Sequence, residues 1–336
     1  MTKTEEFQEL RPLLFSIAYR ILSSVSEAED AVQETWLRYQ ATSTRPRSAK
    51  AFLSSVVTRI SIGVLRSARV RREEYVGPWL PEPLLTDPYE DPARSAELAD
   101  SLSIAALLLL ERLSPLERAV FVLREVFAFG FRDIAAAVGR SEAACHQLAV
   151  RARRHMDAGQ VRFEADRKER ENLAERFFDA FREGDVEELA GLLAADVRMV
   201  GDSGGKVPQF KPVILGAENM LRALATFVPL VIRSGGLVEP HPMNGQPGSV
   251  FRDRNDQVLS TWVLDVCDGR IQAIHTVNNP EKLRHIGPVA DAWKALREVS
   301  EARPAHRLTT ANRPLADREG EDGHGERDFH LGPCEL

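Results

Sequence analysis

Five prolines, Pro78, Pro81, Pro83, Pro88 and Pro92, fall within residues 76–100 and divide this 336-residue chain. Proline fixes φ and offers no N–H, so neither a helix interior nor a central strand passes through such a stretch. With acids interspersed, residues 76–103 read as an extended linker, and the chain on either side must fold as separate modules.

Before the linker, Phe7, Leu10, Leu14, Ile17, Ala18 and Ile21 recur at three- and four-residue steps, the signature of a helix with one buried stripe. Ser26 and Glu29 have the S-x-x-E spacing of a capping box and predict a second helix ending near Tyr39. Residues 1–75 therefore form a first helical module. After the linker, Ser114 and Glu117 repeat the box with Pro115 at the first helical position, opening a helix through Val120, Leu123 and Val126 in a second module over residues 104–158.

Residues 131–154 (FRDIAAAVGRSEAACHQLAVRARR) predict helix, tight turn, helix, with Gly139 in the left-handed turn and Ser141 as N-cap. Ile134, Ala135, Val138, Ala144, Leu148 and Ala152 pack inward in this reading. Ser141, Glu142, Ala143, His146, Gln147 and Arg151 then face outward, the geometry of a helix that enters the DNA major groove. Arg153 and Arg154 lie where they can hold phosphates, which fix position without reading bases. An ordinary helical hairpin with a solvated face has the same pattern.

The net charge of -6 comes entirely from residues 161–336, since residues 1–160 hold 21 Lys+Arg against 21 Asp+Glu. Within that neutral part Arg59, Arg66, Arg69, Arg71 and Arg72 precede the next acid, Glu73, and DNA binding depends on such patches rather than on the total. Cys145, Cys267 and Cys334 lie far apart without metal-ligand spacing, so neither a disulfide framework nor a metal site is expected. The longest apolar run, residues 104–110, is far too short to span a bilayer, and Glu5 and Glu6 disfavour a signal peptide. A cytoplasmic protein without membrane contact or cofactor is expected.

From Asn172 two amphipathic helices precede strand-like alternation at Trp262, Leu264 and Val266 and again at Gln272, Ile274 and Thr276, across a turn at Asp268 and Gly269. Residues 168–285 thus predict an α+β domain with a curved antiparallel sheet. Residues 286–336 read as a largely disordered charged tail with one short helical stretch, residues 289–299. His324, His330 and Cys334 within it are read as chance placement, not a metal site.

Residues 28–38 (AEDAVQETWLR), 64–72 (VLRSARVRR), 113–118 (LSPLER) and the helix-turn-helix resemble, in order and spacing, an extracytoplasmic-function sigma factor of the sigma-70 family. The resemblance implies that the first module binds core RNA polymerase and the promoter -10 element, and that the second reads the -35 element. Asp30, Gln33, Glu34, Trp36 and Leu37 match the polymerase-binding positions. Independently of the resemblance, Glu27, Asp30, Glu34 and Leu37 share one stripe, an acidic ridge suited to a basic helical partner. Arg59, Arg66, Arg69, Arg71 and Arg72 lie where the family contacts melted promoter DNA. Gly63 and His146 depart from the Asp and Arg common in relatives, which bears on -10 and -35 preference.

Residues 75–84 (YVGPWLPEPL) resemble the linker of sigma factors fused to a SnoaL-like domain, and so do two regulatory motifs, Asp202-Ser203-Gly204-Gly205-Lys206 and Asn279-Pro280-Glu281-Lys282-Leu283. The resemblance implies a cone-shaped NTF2 fold able to hold a small apolar ligand or to perform acid/base chemistry. Asp202, Asp265 and His275 are the catalytic candidates. The expected function is a sigma factor modulated by this domain, with no chemistry of its own. The alternatives are a cyclase- or isomerase-type enzyme with a DNA-binding appendage, and a helix-turn-helix repressor independent of polymerase.

Overall fold

The computed structural model describes residues 2–89, 91, 98, 100–157, 167–207, 211–233, 235–294 and 297. The side chains of Arg69 and Arg71, His324, His330 and Cys334 entirely, and the expected tail apart from residues 286–294 and 297 lie outside the described residues.

The first module is built from α1 (Lys3–Leu22), α2 (Val25–Ala41) and α3 (Ala49–Glu73). Phe7, Leu14, Ile17, Ala18 and Ile21 form the buried stripe of α1. The expected cap of α2 is displaced by two residues: Ser24, not Ser26, is the N-cap, its Oγ accepting from Glu27 N at 3.1 Å. Ser23 ends α1 in the left-handed region (φ 56) and Ser24 is already extended, so Ser26 falls inside the first turn. Glu29 pairs instead with Arg11. Residues 49–68 of α3 are long and apolar enough to cross a bilayer by composition, but half are buried in this helical core.

The second module comprises α4 (Ile104–Glu111), α5 (Pro115–Phe121) with a π-helical continuation (Val122–Val126), α6 (Phe131–Val138) and α7 (Glu142–Asp157). The box at Ser114 and Glu117 is present, with Pro115 at the first helical position. One apolar cluster runs through both helical modules, from Leu14, Ile17 and Val57 to Leu107, Val120, Ile134 and Leu148. The modules are packed on each other rather than held apart by the linker.

The third domain contains α8 (Arg167–Glu183), α9 (Val186–Leu192), β1 (Leu193–Asp202), β2 (Val213–Leu215), α10 (Ala217–Arg233), β3 (Leu237–Pro240), β4 (Gly248–Arg252), β5 (Val258–Cys267) and β6 (Arg270–Val277). The sheet order is β2-β1-β6-β5-β4-β3, and β1 pairs parallel to β6, so the sheet is mixed and not wholly antiparallel as its alternation suggested. A parallel pair needs a long crossover, supplied here by α10 and the strands that follow β1. Asp268 (φ 51) and Gly269 (φ 64) make the tight β5–β6 turn, whose left-handed residues match the strand twist.

Successive strand residues point to opposite faces, and the two faces of this sheet have different partners. Trp262, Leu264, Val266 and Ile274 pack under the helices with Phe177, Phe181 and Leu224. Val250, Val263 and Val277 face the other way, in a cluster with Leu80 of the linker, Ile104 of α4 and Leu283. The boundary expected at residue 285 falls short: Pro288 O accepts from Val258 N at 2.8 Å and Ala290 N donates to Val258 O at 2.9 Å, tying the following segment to β5.

Candidate functional site

Along α2, Asp30, Gln33 and Leu37 are exposed, and Glu34 and Trp36 are half-buried. Trp36 is wedged against Phe7 (ring centroids 4.8 Å), which fixes the base of the ridge. Glu34 pairs with Arg38 one turn on. Leu37 is 53% exposed, an apolar tip on an acidic helix face.

The arginines of α3 are used differently from one another. Arg66 is exposed. Arg59 reaches into the second module, donating to Ala136 O at 2.5 Å and Ala137 O at 3.0 Å at the end of α6. Arg72 donates to Leu22 O at 2.8 Å, pairs with Glu111 of α4 and lies over Trp79 (3.7 Å to the ring centroid). Expected as DNA contacts, Arg59 and Arg72 are here contacts between modules. Arg118, 1% exposed, shares Glu111 with Arg72 and donates to Arg20 O at 3.0 Å and Ser23 Oγ at 2.5 Å. Burial pushes the Glu111 carboxyl up, but Arg118 and Arg72 outweigh it and hold the group below the ordinary carboxylate range.

In the helix-turn-helix, Gly139 adopts φ 67 at the turn and Ser141 Oγ accepts from Ala144 N at 3.2 Å. Ser141, Glu142, Ala143, His146, Gln147, Arg151, Arg153 and Arg154 are all exposed. The buried face of α7 is Cys145, Leu148, Ala149 and Ala152; Ala144, expected inside, is only half-buried. His146 stacks on Phe131 of α6 at 3.6 Å between ring centroids, and Arg124 lies over the same ring. Arg151 pairs with Glu117 and Arg153 with Glu125, and Arg154 is exposed beside them.

The two motifs of the third domain meet at Asp202, which is 0% exposed. Its carboxylate accepts from Tyr75 Oη, from Leu80 N at 2.8 Å and from Lys282 Nζ at 2.7 Å. Asn279 Nδ2 donates to Tyr75 Oη at 2.7 Å, and Lys282 Nζ also donates to Leu80 O. Burial, reinforced by Asp202, raises the Tyr75 phenol; burial lowers the Lys282 ammonium although Asp202 opposes it. Gly204 (φ +56) has no room for a side chain, because a Cβ there would lie 2.6 Å from Asn279 Nδ2 and 2.9 Å from Tyr75 Oη. Lys206 pairs with Glu281, joining the motifs to each other within the domain rather than to another module.

The catalytic candidates do not enter the cone. Asp265 and His275 share the parity of Val263 and Val277, which face the helical modules, and Asp202 shares that of Val200 on the same side. His275 Nε2 donates to Asp265 Oδ2 at 2.9 Å, Asp265 accepts from Gln246 Nε2, and Gln246 Oε1 accepts from Ile104 N at 2.7 Å. The chain ends on the first backbone N–H of α4, a group that no helix satisfies by itself. Inside the cone, Phe181, Phe227, Phe251 and Trp262 pack ring against ring with centroids 4.8 to 6.4 Å apart.

Sequence reasoning missed the groups that join the modules: Arg20, Glu82, Glu111, Asn244 and Gln246. Asn244 (φ 54) sits in the turn before β4, donates to Tyr19 Oη at 2.6 Å and accepts from Leu84 N at 3.0 Å. Buried Arg20 donates to Leu98 O, Ser101 Oγ and Asp87, fastening the later linker. The Asn-Gly turn was visible at residues 244–245; its partner was not.

Residues 7–71 match the family model of sigma-70 region 2, and residues 103–156 that of sigma-70 region 4. The chain is 36% identical over 295 residues to the ECF RNA polymerase sigma factor SigJ of Mycobacterium tuberculosis, covering 83% of this chain and 93% of that protein. It is 28% identical over 281 residues to a probable ECF RNA polymerase sigma factor, SigI, of the same species, covering 81% and 92%. The crystal structure of M. tuberculosis SigJ superimposes with a TM-score of 0.64 and 31% identity, over 85% of this chain and 100% of that one.

Proposed function

Since the chain belongs to the extracytoplasmic-function RNA polymerase sigma factors, we propose that it binds core RNA polymerase through the α2 ridge and directs it to promoters through α3 and α7. The -10 element falls to Arg66 with its neighbours on α3, including Arg69 and Arg71, and the -35 element to residues 141–154. Its place of action is that of the polymerase, the cytoplasm. The third domain holds the two helical modules closed, and this closed form must loosen before both promoter elements are engaged.

One observation carries the regulatory reading. Arg59 and Arg72 are bound to the second module and linker while Asp30, Gln33 and Leu37 stay exposed. The closed form therefore offers its polymerase face and withholds part of its promoter face. Once freed, a linker extended at roughly 3.1 Å per residue spans more than one DNA turn of about 34 Å. The placement of Asp265 and His275 under α4 favours a structural use over catalysis.

Run-off transcription with purified core polymerase on genomic fragments tests the reading, using the full chain and truncations after Asp157 and just beyond Leu283. Promoter-dependent transcripts that change with truncation are expected. Unchanged output from both truncations overturns the regulatory part, and no association with core polymerase overturns the whole.

A further inference from the structure

The linker does more than connect: one of its carboxylates completes the helix that carries the polymerase ridge. Glu82, 8% exposed, places Oε2 2.7 Å from Val25 N and 3.1 Å from Ser26 N, and Oε1 2.8 Å from Ser24 Oγ and 3.2 Å from Ser26 Oγ. The first backbone N–H groups of a helix have no intrahelical acceptor, and the helix dipole favours negative charge there. The Ser24 hydroxyl accepts from the N–H of Glu27, and Glu82 satisfies the two N–H groups before it. Its own backbone is equally engaged with the first module, Glu82 N donating to Ser23 O at 3.0 Å and Tyr19 Oη to Glu82 O at 2.7 Å.

The neighbours of Glu82 bind the opposite way. Leu80 N donates to Asp202 and Leu84 N to Asn244, both in the third domain. Residues 80–84 thus form a strap whose amides at positions 80 and 84 are held by the third domain and whose amide at position 82 is held by the first module. The third domain holds residues 80 and 84, and through them holds the carboxylate of residue 82 on α2.

We propose that Glu82 is a positioning residue for polymerase binding: a cap supplied from the linker, and kept in place by the third domain, that sets the first turn of α2 and so the register of Asp30, Gln33 and Glu34. This rests on the reading of α2 as the polymerase-binding helix. It gives the third domain a second, supportive role beside the restraining one, because losing the domain loosens the cap.

The experiment measures affinity of the full-length protein for core RNA polymerase, alone and with run-off transcription at limiting and saturating core. Glu82→Ala is expected to weaken core binding about tenfold, in line with the worth of a charged helix cap, and to depress transcription at limiting core but not at saturation. Ser24→Asp in the Glu82→Ala background, which places a carboxylate at the same helix end from within α2, is expected to restore binding. Should Glu82→Ala not fold, Glu82→Gln makes the same comparison, with a loss of about threefold. Glu34→Lys serves as the control for the ridge. If Glu34→Lys weakens binding and the Glu82 variants bind within twofold of wild type, or stay weak with Ser24→Asp, the positioning role is overturned. If Glu34→Lys is without effect, the ridge reading fails and the proposal with it.

Discussion

The backbone N–H of Leu80 donates to the carboxylate of Asp202 at 2.8 Å across 122 positions of sequence, and the same carboxylate neutralises the buried ammonium of Lys282. A linker amide and a domain motif are thus fixed by one acid. Without it the ammonium keeps only neutral partners, Leu80 O and the rings of Tyr75 and Trp79, among the described residues.

Asp202→Ala therefore removes the partner of a buried lysine and of a buried amide together. Breaking a buried pair from one side costs roughly 3–5 kcal/mol. The expected result is a lower urea midpoint and faster protease cleavage within residues 76–89. Asp202→Asn, which keeps an acceptor for Leu80 N, should fall between the variant and wild type.

Glu111 makes the closed form sensitive to acid. Its folded-state pKa lies below the ordinary 4.5 because Arg118 and Arg72 outweigh burial. The stabilisation it contributes is complete above about pH 4.5 and is lost as the pH falls through the lower folded value. Urea titrations of wild type and Glu111→Gln from pH 7 downward should show the largest difference near neutrality and a shrinking one below pH 4.5.

Leu37→Asp should separate function from stability. An exposed helix position tolerates substitution within about 0.5 kcal/mol, so the thermal midpoint should stay near wild type. On the proposed role of the ridge, affinity for core polymerase should drop about tenfold, since its exposed apolar residue is replaced by a charge. Pull-down and melting curves on one preparation check both.

Arg154→Ala should weaken promoter binding by the holoenzyme about equally across -35 sequences, and flatten the dependence of log affinity on log salt by about one unit. His146→Ala should instead change which sequences are preferred, because the ring stacked on Phe131 leaves the reading face. Binding to a panel of -35 variants at several salt concentrations distinguishes the two.

Local signals were legible where the physics is local. The turn at Gly139, the box at Ser114 and Glu117, and the hairpin at Asp268 and Gly269 each depend on residues within four positions of one another. The cap of α2 was misplaced because its choice depends on where α1 stops, at Ser23, and on Glu82, 57 positions from Val25. Asp265 and His275 looked catalytic by residue type, yet their sheet face is decided by the register of β5 against β6 and by what packs outside it. The exposed residues of α7 could be read from helical spacing alone. The engagement of Arg59 and Arg72 could not, since an arginine run looks the same whether it meets phosphates or carbonyls.

The alternation along residues 80–84 has a consequence for how this lineage can change. Because residues 80 and 84 are fixed on the third domain and residue 82 on the first module, adding or deleting one residue between Leu80 and Leu84 shifts the chain by roughly 3.5 Å and breaks at least one of these contacts. The length of this stretch is locked by three contacts to two bodies. Recombination that swaps third domains between homologues should succeed only where the incoming domain keeps the acceptors that meet this strap, at positions 202 and 244.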